Sequence, residues 1–258
     1  MIHNKLNLRN TWRGFKDCIV FNKVKESERV TSLYLKLLDG SELPEFIAGQ
    51  FIAIRIRNKD NTYTKPREYT LSINSNKEFY RISVKREENG SLSKKLYDEI
   101  KIGGDVIQIT VPIGKFILKN NEKPLVLIGG GIGITPMISM AHQAINTSKK
   151  IHFVYSIPNS KNNSFKEEIE KLCKSNNFKS NIFYTRPYET DDLIKSFYTK
   201  GRISKEWMID NLPKDGDFYF CGPVLFMKDI YHNLVSMGIE KEYINFEMFK
   251  SGEDITKE

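Results

Sequence analysis

The sequence is poor in cysteine, histidine and long apolar runs, and each shortage excludes a class of protein. Its three cysteines, Cys18, Cys173 and Cys221, are far apart. Their spacing fits neither a disulfide framework nor a zinc site. It also excludes a plant-type iron–sulfur cluster, which needs four thiolates. None of the four histidines stands in a pattern that would hold haem. Redox chemistry would therefore use an organic cofactor, and no metal site is predicted.

The sequence also lacks a membrane span and a secretory leader. No apolar run approaches the ~20 residues that cross a bilayer. The first ten residues are polar rather than apolar, unlike a leader peptide. We therefore expect a cytoplasmic protein without a membrane partner.

The chain has the size and charge of a globular protein with an anionic partner. Its 258 residues, 40% hydrophobic and 28% charged, are enough for two domains. The net charge is +8, and almost all of it falls in residues 1–118. Such a basic half could attract nucleic acid, an anionic cofactor or an acidic protein.

The first half has the pattern of antiparallel β-structure. Within residues 51–57, isoleucines at 52, 54 and 56 alternate with Ala53, Arg55 and Arg57, which is the period of a strand with one wet face. Six such segments predict a small closed barrel or a sandwich; they are 18–24, 31–37, 51–57, 68–73, 79–85 and 106–111. One helix interrupts them. Ser91 or Ser93 could cap it, and Leu92, Leu96 and Ile100 fall on one face.

The second half alternates strands with helices. Strands are predicted at 125–129, 151–155, 181–185, 217–221 and 243–249. Helices are predicted around Met137–Ala144 and at 165–173, 204–211 and 224–237. This alternation predicts a parallel sheet covered on both faces. The polar stretch Lys119–Glu122 marks the boundary, so we predict domains at 1–118 and 119–258.

A glycine-rich loop, Gly129–Pro136, joins the first parallel strand to its helix. Backbone amides and the positive helix end favour an anion such as a pyrophosphate there. The loop departs from the usual dinucleotide fingerprint, because Pro136 stands where the third glycine would be. The second strand also ends at Ser156 without the carboxylate that holds a ribose. A tight turn that binds nothing remains an alternative for this loop alone.

Five motifs occur in an order that is typical of one family: Arg67–Ser72, Gly90–Ser93, Gly131–Pro136, Cys221–Pro223 and Glu247–Phe249. Their order and residue types resemble the ferredoxin–NADP⁺ reductase superfamily, above all the reductase half of bacterial flavohaemoglobins. The likeness covers roughly residues 11–250. It implies an antiparallel β-barrel FAD domain with one capping helix, followed by an α/β parallel-sheet NAD(P)-binding domain.

The resemblance implies a set of FAD contacts in the first half. Arg67 would pair with the pyrophosphate, which suits guanidinium geometry. Tyr69 would pack along the isoalloxazine, and Thr70 would hydrogen-bond near flavin N5. The other implied FAD contacts are Phe51, Glu68, Val84, Lys85 and the helix start at Gly90, Ser91, Leu92 and Ser93. Without the resemblance, the same residues fit an exposed strand, a serine-capped helix and barrel core.

The resemblance implies coenzyme contacts in the second half. Cys221, with Gly222 and Pro223, would lie beside the nicotinamide. Glu247 and Phe249 match a C-terminal carboxylate and an aromatic side chain that covers the flavin until nicotinamide displaces it. Phosphates would bind at Gly131, Ile132, Gly133, Ile134, Thr135 and Pro136. The expected catalytic residues are Thr70, Cys221 and Glu247. A buried core cysteine and an edge strand are the plain alternatives.

Coenzyme preference is expected to depend on Arg186, which follows the third parallel strand. Its guanidinium could meet the adenosine 2′-phosphate of NADPH. Lys200 and Arg202 could share this contact. The sequence accommodates either NADPH or NADH, and Arg186 could equally be an exposed residue without a role.

These features predict an FAD-dependent NAD(P)H oxidoreductase that passes a hydride from nicotinamide to flavin N5. The sequence contains neither a globin nor a cluster domain, so a separate electron-acceptor protein is expected. One alternative is direct reduction of a small molecule, such as a ferric chelate, a quinone or free flavin. Another is a non-enzymatic basic module that binds nucleic acid. We expect no nucleic-acid partner, because the basic strand positions lack interleaved surface aromatics and such a module leaves the second half unexplained.

Overall fold

The structure is a computed structural model that describes residues 11–191, 198–249 and 253–257. The chain forms two compact units, Met1–Leu118 and Lys119–Glu258. Residues 1–10, whose polarity argued against a leader, lie outside the described residues. No helix in the described part of the chain is long and apolar enough to span a membrane. The same residues contain no group of three or more side chains that could hold a metal ion.

The first unit is an antiparallel barrel, as the sequence predicts. Its strands are β1 (Lys16–Lys25), β2 (Val30–Leu37), β3 (Phe51–Ile56), β4 (Arg67–Thr70), β5 (Tyr80–Lys85) and β6 (Val106–Ile109). They form one six-stranded sheet in the order β4-β3-β6-β1-β2-β5. A β-bridge between Leu71, which follows β4, and Ile82 of β5 joins the two end strands of this sheet. The amide of Ser72 also donates to the Arg81 carbonyl at 2.8 Å, which closes the barrel.

Strict alternation explains why these strands close around a core. Tyr80, Ile82 and Val84 of β5 are fully buried, as are Ile52 and Ile54 of β3. Since neighbouring strand residues point to opposite faces, each strand directs one apolar row inward. The barrel core therefore follows directly from the period-two pattern.

The outer face of the barrel carries more aromatic residues beside cations than the sequence indicated. Phe21, Tyr34 and Phe79 form a half-buried cluster with ring centroids 5.6 to 6.1 Å apart. The Lys36 ammonium lies 4.8 Å from the centre of the Phe21 ring. This cluster was not predicted, because it joins residues of β1 and β2 with the residue that precedes β5, which are far apart along the chain.

The capping helix begins one residue earlier than a serine cap would require. Helix α1 spans Ser91–Lys94 and continues as a π-helical turn over Lys95–Glu99. Leu92, Leu96 and Ile100 are buried, as predicted. The serine cap was wrong: Gly90 is the N-cap residue, and no side chain caps the helix. A Cβ on Gly90 would lie 2.1 Å from Ser93 Oγ, so this hydroxyl occupies the space that a capping side chain would need.

The second unit is a parallel sheet with helices, as predicted. Its strands are β7 (Leu125–Gly130), β8 (Ile151–Ile157), β9 (Phe178–Tyr184), β10 (Tyr198–Lys200), β11 (Asp217–Cys221) and β12 (Ile244–Phe246). Its α-helices are α2 (Ile134–Ala144), α3 (Lys166–Leu172), α4 (Lys205–Asn211) and α5 (Val224–Ser236). The strand order is β10-β9-β8-β7-β11-β12. Strand β10 was not predicted, because three residues are too few to show a periodicity.

The order of this sheet reverses at β7, and that reversal locates a ligand crevice. The chain moves from β7 to β8 on one side and later returns to β11 on the other. In open α/β sheets, ligands bind outside the carboxyl ends of the strands at this switch point. Because the strands are parallel, the described residues that directly follow β7, β8, β9, β10 and β11 start from that edge.

The last strand is shorter than predicted. Strand β12 covers Ile244–Phe246 rather than 243–249, and residues Lys241–Tyr243 form a 3₁₀ turn before it. Pairing with β11 ends at Phe220 and Phe246, where β11 approaches its turn at Gly222. Glu247 and Phe249 therefore follow the strand instead of belonging to it.

Candidate functional site

Strand β4 carries four of the residues expected to contact FAD, namely Arg67, Glu68, Tyr69 and Thr70. Arg67 is exposed, and its Nη1 donates to the Pro66 carbonyl at 3.3 Å. Among the described residues, no carboxylate forms an ion pair with Arg67. A free guanidinium of this kind is available to an external anion.

The two neighbouring residues of β4 have contrasting environments. Tyr69 packs against the barrel core, and burial raises the pKa of its hydroxyl, which therefore stays neutral. Thr70 is only 5% exposed and lies opposite Phe51 of β3. Phe51 is half-buried, and its ring lies 3.2 Å from the position of a Cβ on Gly114. The ring packs where only glycine leaves room.

The start of α1 offers backbone amides rather than side chains. The Gly90 amide already donates to the Glu87 carbonyl at 3.0 Å. The amides of Ser91, Leu92 and Ser93 belong to the first turn, where N–H groups lack acceptors within the helix. The Leu92 side chain is buried, so only its backbone is available to a ligand.

The remaining FAD candidates contribute unequally. Val84 is fully buried, so it could meet a cofactor only through its backbone. Lys85 forms an ion pair with Glu87 at 2.9 Å. Glu68 is exposed beside Arg67.

The glycine loop contacts the cysteine turn of the neighbouring strand. A 3₁₀ turn over Gly131–Gly133 links β7 to α2, and Gly131 has φ +54°. A Cβ on Gly133 would lie 2.3 Å from the Cys221 carbonyl oxygen and 2.6 Å from the Gly222 nitrogen. The loop after β7 and the turn after β11 therefore touch backbone to backbone, and only glycine permits this contact.

The rest of this loop would bind through its backbone. The side chains of Ile134, Thr135 and Pro136 are buried, and Thr135 Oγ1 donates to the Ile132 carbonyl at 3.1 Å. Pro136 lies in the first turn of α2 and has no N–H to donate. The Ile134 amide already donates within the 3₁₀ turn, so the possible amide donors are residues 131–133 and 135.

Cys221 is fully buried at the carboxyl end of β11. Burial, and then the charge of Glu247, raise the pKa of its thiol well above the usual value. A thiol in this environment stays protonated, so it can pack and donate but cannot act as a thiolate nucleophile. Because its side chain is covered, contact with nicotinamide would require covering groups to move.

The C-terminal candidates lie partly at the same edge. Glu247 is half-buried and close enough to Cys221 for its charge to influence the thiol. Pro223 is exposed and immediately precedes α5. Phe249 is 46% exposed.

Cations gather at the far side of the same edge. Arg186 is exposed after β9, and its amide donates to the Pro158 carbonyl at 2.8 Å. Strand β10 pairs in parallel with β9, so that Lys200 lies opposite Tyr184. The strand that was not predicted thus brings Lys200 to the edge that carries Arg186, as sharing of the contact by these two cations requires.

Comparison with known proteins identifies both units as oxidoreductase domains. A family model described as the oxidoreductase FAD-binding domain matches residues 17–117. A second one, the oxidoreductase NAD-binding domain, matches residues 127–232. The chain is 40% identical to a flavohemoprotein of Bacillus cereus over 248 residues, which cover 92% of this chain and 61% of that protein. The chain therefore spans less than two thirds of the length of the curated relatives it matches.

Solved structures give the same result. The flavohem-like FAD/NAD-binding domain of a nitric oxide dioxygenase from Vibrio cholerae is 32% identical, with a TM-score of 0.81 and coverage of 90% of this chain and 98% of that one. A flavohemoglobin from Malassezia yamatoensis, solved with bound FAD and heme, shares the fold at 23% identity and a TM-score of 0.78, over 92% of this chain and 60% of that one.

Proposed function

Because the chain belongs to the ferredoxin–NADP⁺ reductase superfamily and is an FAD- and NAD(P)H-dependent reductase, we propose that it takes electrons from NAD(P)H and delivers them to a separate acceptor protein. FAD, when bound, would supply the redox chemistry, that is, hydride acceptance from the nicotinamide and release of single electrons. The chain supplies binding, orientation and electrostatics. In this proposal, residues 1–118 bind FAD and residues 119–258 bind the coenzyme.

One observation carries the proposal. The glycine loop, whose amides suit a dinucleotide phosphate, touches the turn that holds Cys221 through Gly133. A coenzyme anchored at the loop would therefore place its nicotinamide half toward Cys221 and its adenosine half toward β8 and β9. Cys221 would then pack against the nicotinamide as a neutral group.

The residues of the first unit fit an FAD pyrophosphate. Arg67 is an exposed cation without an acidic partner among the described residues, and the first turn of α1 presents amides. Both groups favour a diphosphate. Thr70 would hold the reactive edge of the flavin by a hydrogen bond, and Tyr69 and Phe51 would support its ring.

Two residues of the second unit are proposed to act at the reaction site. Glu247 would act at the nicotinamide side, and Phe249 would cover the flavin ring before the coenzyme arrives.

The acceptor is proposed to be an acidic electron carrier. Most of the chain's net positive charge lies in residues 1–118, and such a field raises the association rate of an oppositely charged protein. The nucleic-acid module is set aside, because both units match oxidoreductase domains.

Anaerobic mixing of the purified protein with NADH or NADPH tests the proposal. Bound FAD should be present, and its absorbance near 450 nm should bleach with either coenzyme at a saturable rate. Acidic one-electron carrier proteins should then reoxidise it, with a rate constant that falls as salt rises. A colourless protein, or one that neither coenzyme bleaches, would overturn the proposal. Faster, salt-independent reoxidation by ferric chelate, quinone or free flavin would favour the small-molecule alternative.

A further inference from the structure

Two loops at the carboxyl edge of the parallel sheet are fastened together by one carboxylate. The first loop follows β8 and contains Ser160 in a short 3₁₀ turn. The second follows β9 and contains Arg186, Tyr188 and Asp191. Backbone bonds begin the connection, with the Arg186 amide donating to the Pro158 carbonyl at 2.8 Å.

Asp191 completes the connection by accepting from both loops. Its Oδ2 accepts from the Ser160 amide at 3.3 Å and from the Tyr188 amide at 3.0 Å. Its Oδ1 accepts from the Ser160 hydroxyl. The Asp191 amide returns a bond to the Tyr188 carbonyl at 3.1 Å. We call these contacts of Asp191 with Ser160 and Tyr188 the Asp191 clasp.

The clasp fixes groups that suit the adenosine half of the coenzyme. Tyr188 is 45% exposed, and the Lys161 ammonium lies 5.1 Å from the centre of its ring. The guanidinium of Arg186 is exposed in the same loop. An aromatic face and two cations, held by linked loops, match an adenine ring with a nearby phosphate.

We infer that Asp191 is a positioning residue for the coenzyme: its clasp holds the loop of Arg186 and Tyr188 in the conformation that binds the adenosine half. This inference rests on the proposed function. Asp191 itself does not touch the coenzyme, since its oxygens are occupied by the two loops.

The inference predicts that removal of the Asp191 carboxylate changes the affinity for the coenzyme in the direction opposite to the one that charge alone predicts. Removing a negative charge near a phosphate site should strengthen the binding of an anion. If Asp191 acts by holding the loops, its removal should weaken that binding instead. Glu189 is an exposed carboxylate of the same loop outside the clasp, so Glu189→Ala gives the electrostatic effect alone.

The test compares Asp191→Ala, Asp191→Asn and Glu189→Ala in the full chain with FAD bound. Calorimetry measures the Kd of adenosine 2′,5′-bisphosphate, which carries only the adenosine half, and of nicotinamide mononucleotide, which carries only the other half. Asp191→Ala should raise the Kd of the adenosine probe about tenfold, a factor that corresponds to roughly 1.4 kcal/mol. The Kd of the mononucleotide should not change. Asp191→Asn keeps one acceptor oxygen and should lie between wild type and Asp191→Ala.

Steady-state kinetics give a second readout. Asp191→Ala should raise the KM for NADPH while leaving kcat and FAD content unchanged, whereas Glu189→Ala should leave this KM equal or lower. An unchanged or lower Kd of the adenosine probe in Asp191→Ala overturns the inference. Equal weakening of both probes also overturns it, because that result indicates general damage to the unit. Failure of wild-type protein to be reduced by either coenzyme would instead refute the proposed function.

Discussion

The two units hold their expected ligands in different ways. The first presents a charged side chain, Arg67, from an exposed strand. The second presents backbone, and its central residue, Gly133, matters because it has no side chain. The barrel site should therefore be sensitive to removing atoms, whereas the glycine loop should be sensitive to adding them.

This difference follows from the two architectures. An antiparallel barrel directs every second side chain outward, so a strand can offer a long cation to solvent. A parallel sheet gathers loops and helix N-termini at one edge, where amides do the binding. Close approach of two loops then requires a residue without a Cβ.

The largest expected effect comes from adding one methyl group to the second unit. Gly133→Ala would place a Cβ 2.3 Å from the Cys221 carbonyl oxygen, which forces the loop and the cysteine turn apart. Relief of this clash requires a shift of about 1 Å, and a misplacement of that size costs about a hundredfold in rate. Stopped-flow bleaching of the flavin should show this slowing, with FAD content unchanged.

Gly104→Ala in the first unit is the matched control. A Cβ there would meet its nearest atom at 3.6 Å, an ordinary contact. This variant should be reduced at the wild-type rate. If Gly133→Ala is also reduced at that rate, the contact between the loop and the cysteine turn has no role in positioning the coenzyme.

The next effect tests the side-chain character of the first unit. Arg67→Ala removes the charge partner proposed for the FAD pyrophosphate. The loss of such a contact costs roughly 1.5–3 kcal/mol, or about ten- to 150-fold in the Kd of FAD. Titration of the apoprotein with FAD measures it, and Lys65→Ala, which removes a nearby exposed cation, serves as the control. Equal affinity in wild type and Arg67→Ala would remove Arg67 from the site.

The sequence predicts more of the architecture than of the contacts. The barrel follows from the alternation of apolar residues that strands such as β3 and β5 display locally, and the parallel sheet follows from continuous apolar strands such as β7 that alternate with helix patterns. The position of Gly133 against Cys221 depends on how two distant loops meet, and no local pattern encodes it. Strand β10 was not predicted, because three residues show no periodicity. The N-cap is Gly90 rather than a serine, and the ends of helices are the positions that local sequence determines least well. The roles of the individual site residues stay predictions.

A smaller effect is expected at Cys221, whose thiol is proposed to pack against the nicotinamide. Cys221→Ala should slow flavin reduction about tenfold, the effect of losing roughly 1.4 kcal/mol of orientation, with FAD still bound. Cys173→Ala, at the other described cysteine of this unit, should have the wild-type rate. An unchanged rate in Cys221→Ala would assign the thiol to the core alone.

The pH profile gives an independent measure of the same residue. Since burial and Glu247 raise the pKa of Cys221, its protonated form persists through the neutral and mildly alkaline range. Flavin reduction should therefore show no rise with pH near the ordinary thiol pKa of about 8.5. A rise there that Cys221→Ala abolishes would show that the thiolate takes part.

The smallest effect concerns Arg186, where the second unit does use a side chain. The 2′-phosphate is the only difference between NADPH and NADH, so a residue that touches it discriminates between them and a residue elsewhere does not. Arg186→Ala should raise the KM for NADPH about fivefold, which is the loss of roughly 1 kcal/mol expected for an exposed charge pair. The KM for NADH should stay the same.

Lys200 lies at the same edge because β10 pairs with β9, and it would share the contact. Arg186→Ala combined with Lys200→Ala should therefore raise the KM for NADPH further. Steady-state kinetics with both coenzymes measure these changes. A wild type that prefers NADH, with both variants indistinguishable from it, would remove the cations from coenzyme selection and leave the second unit with backbone recognition alone.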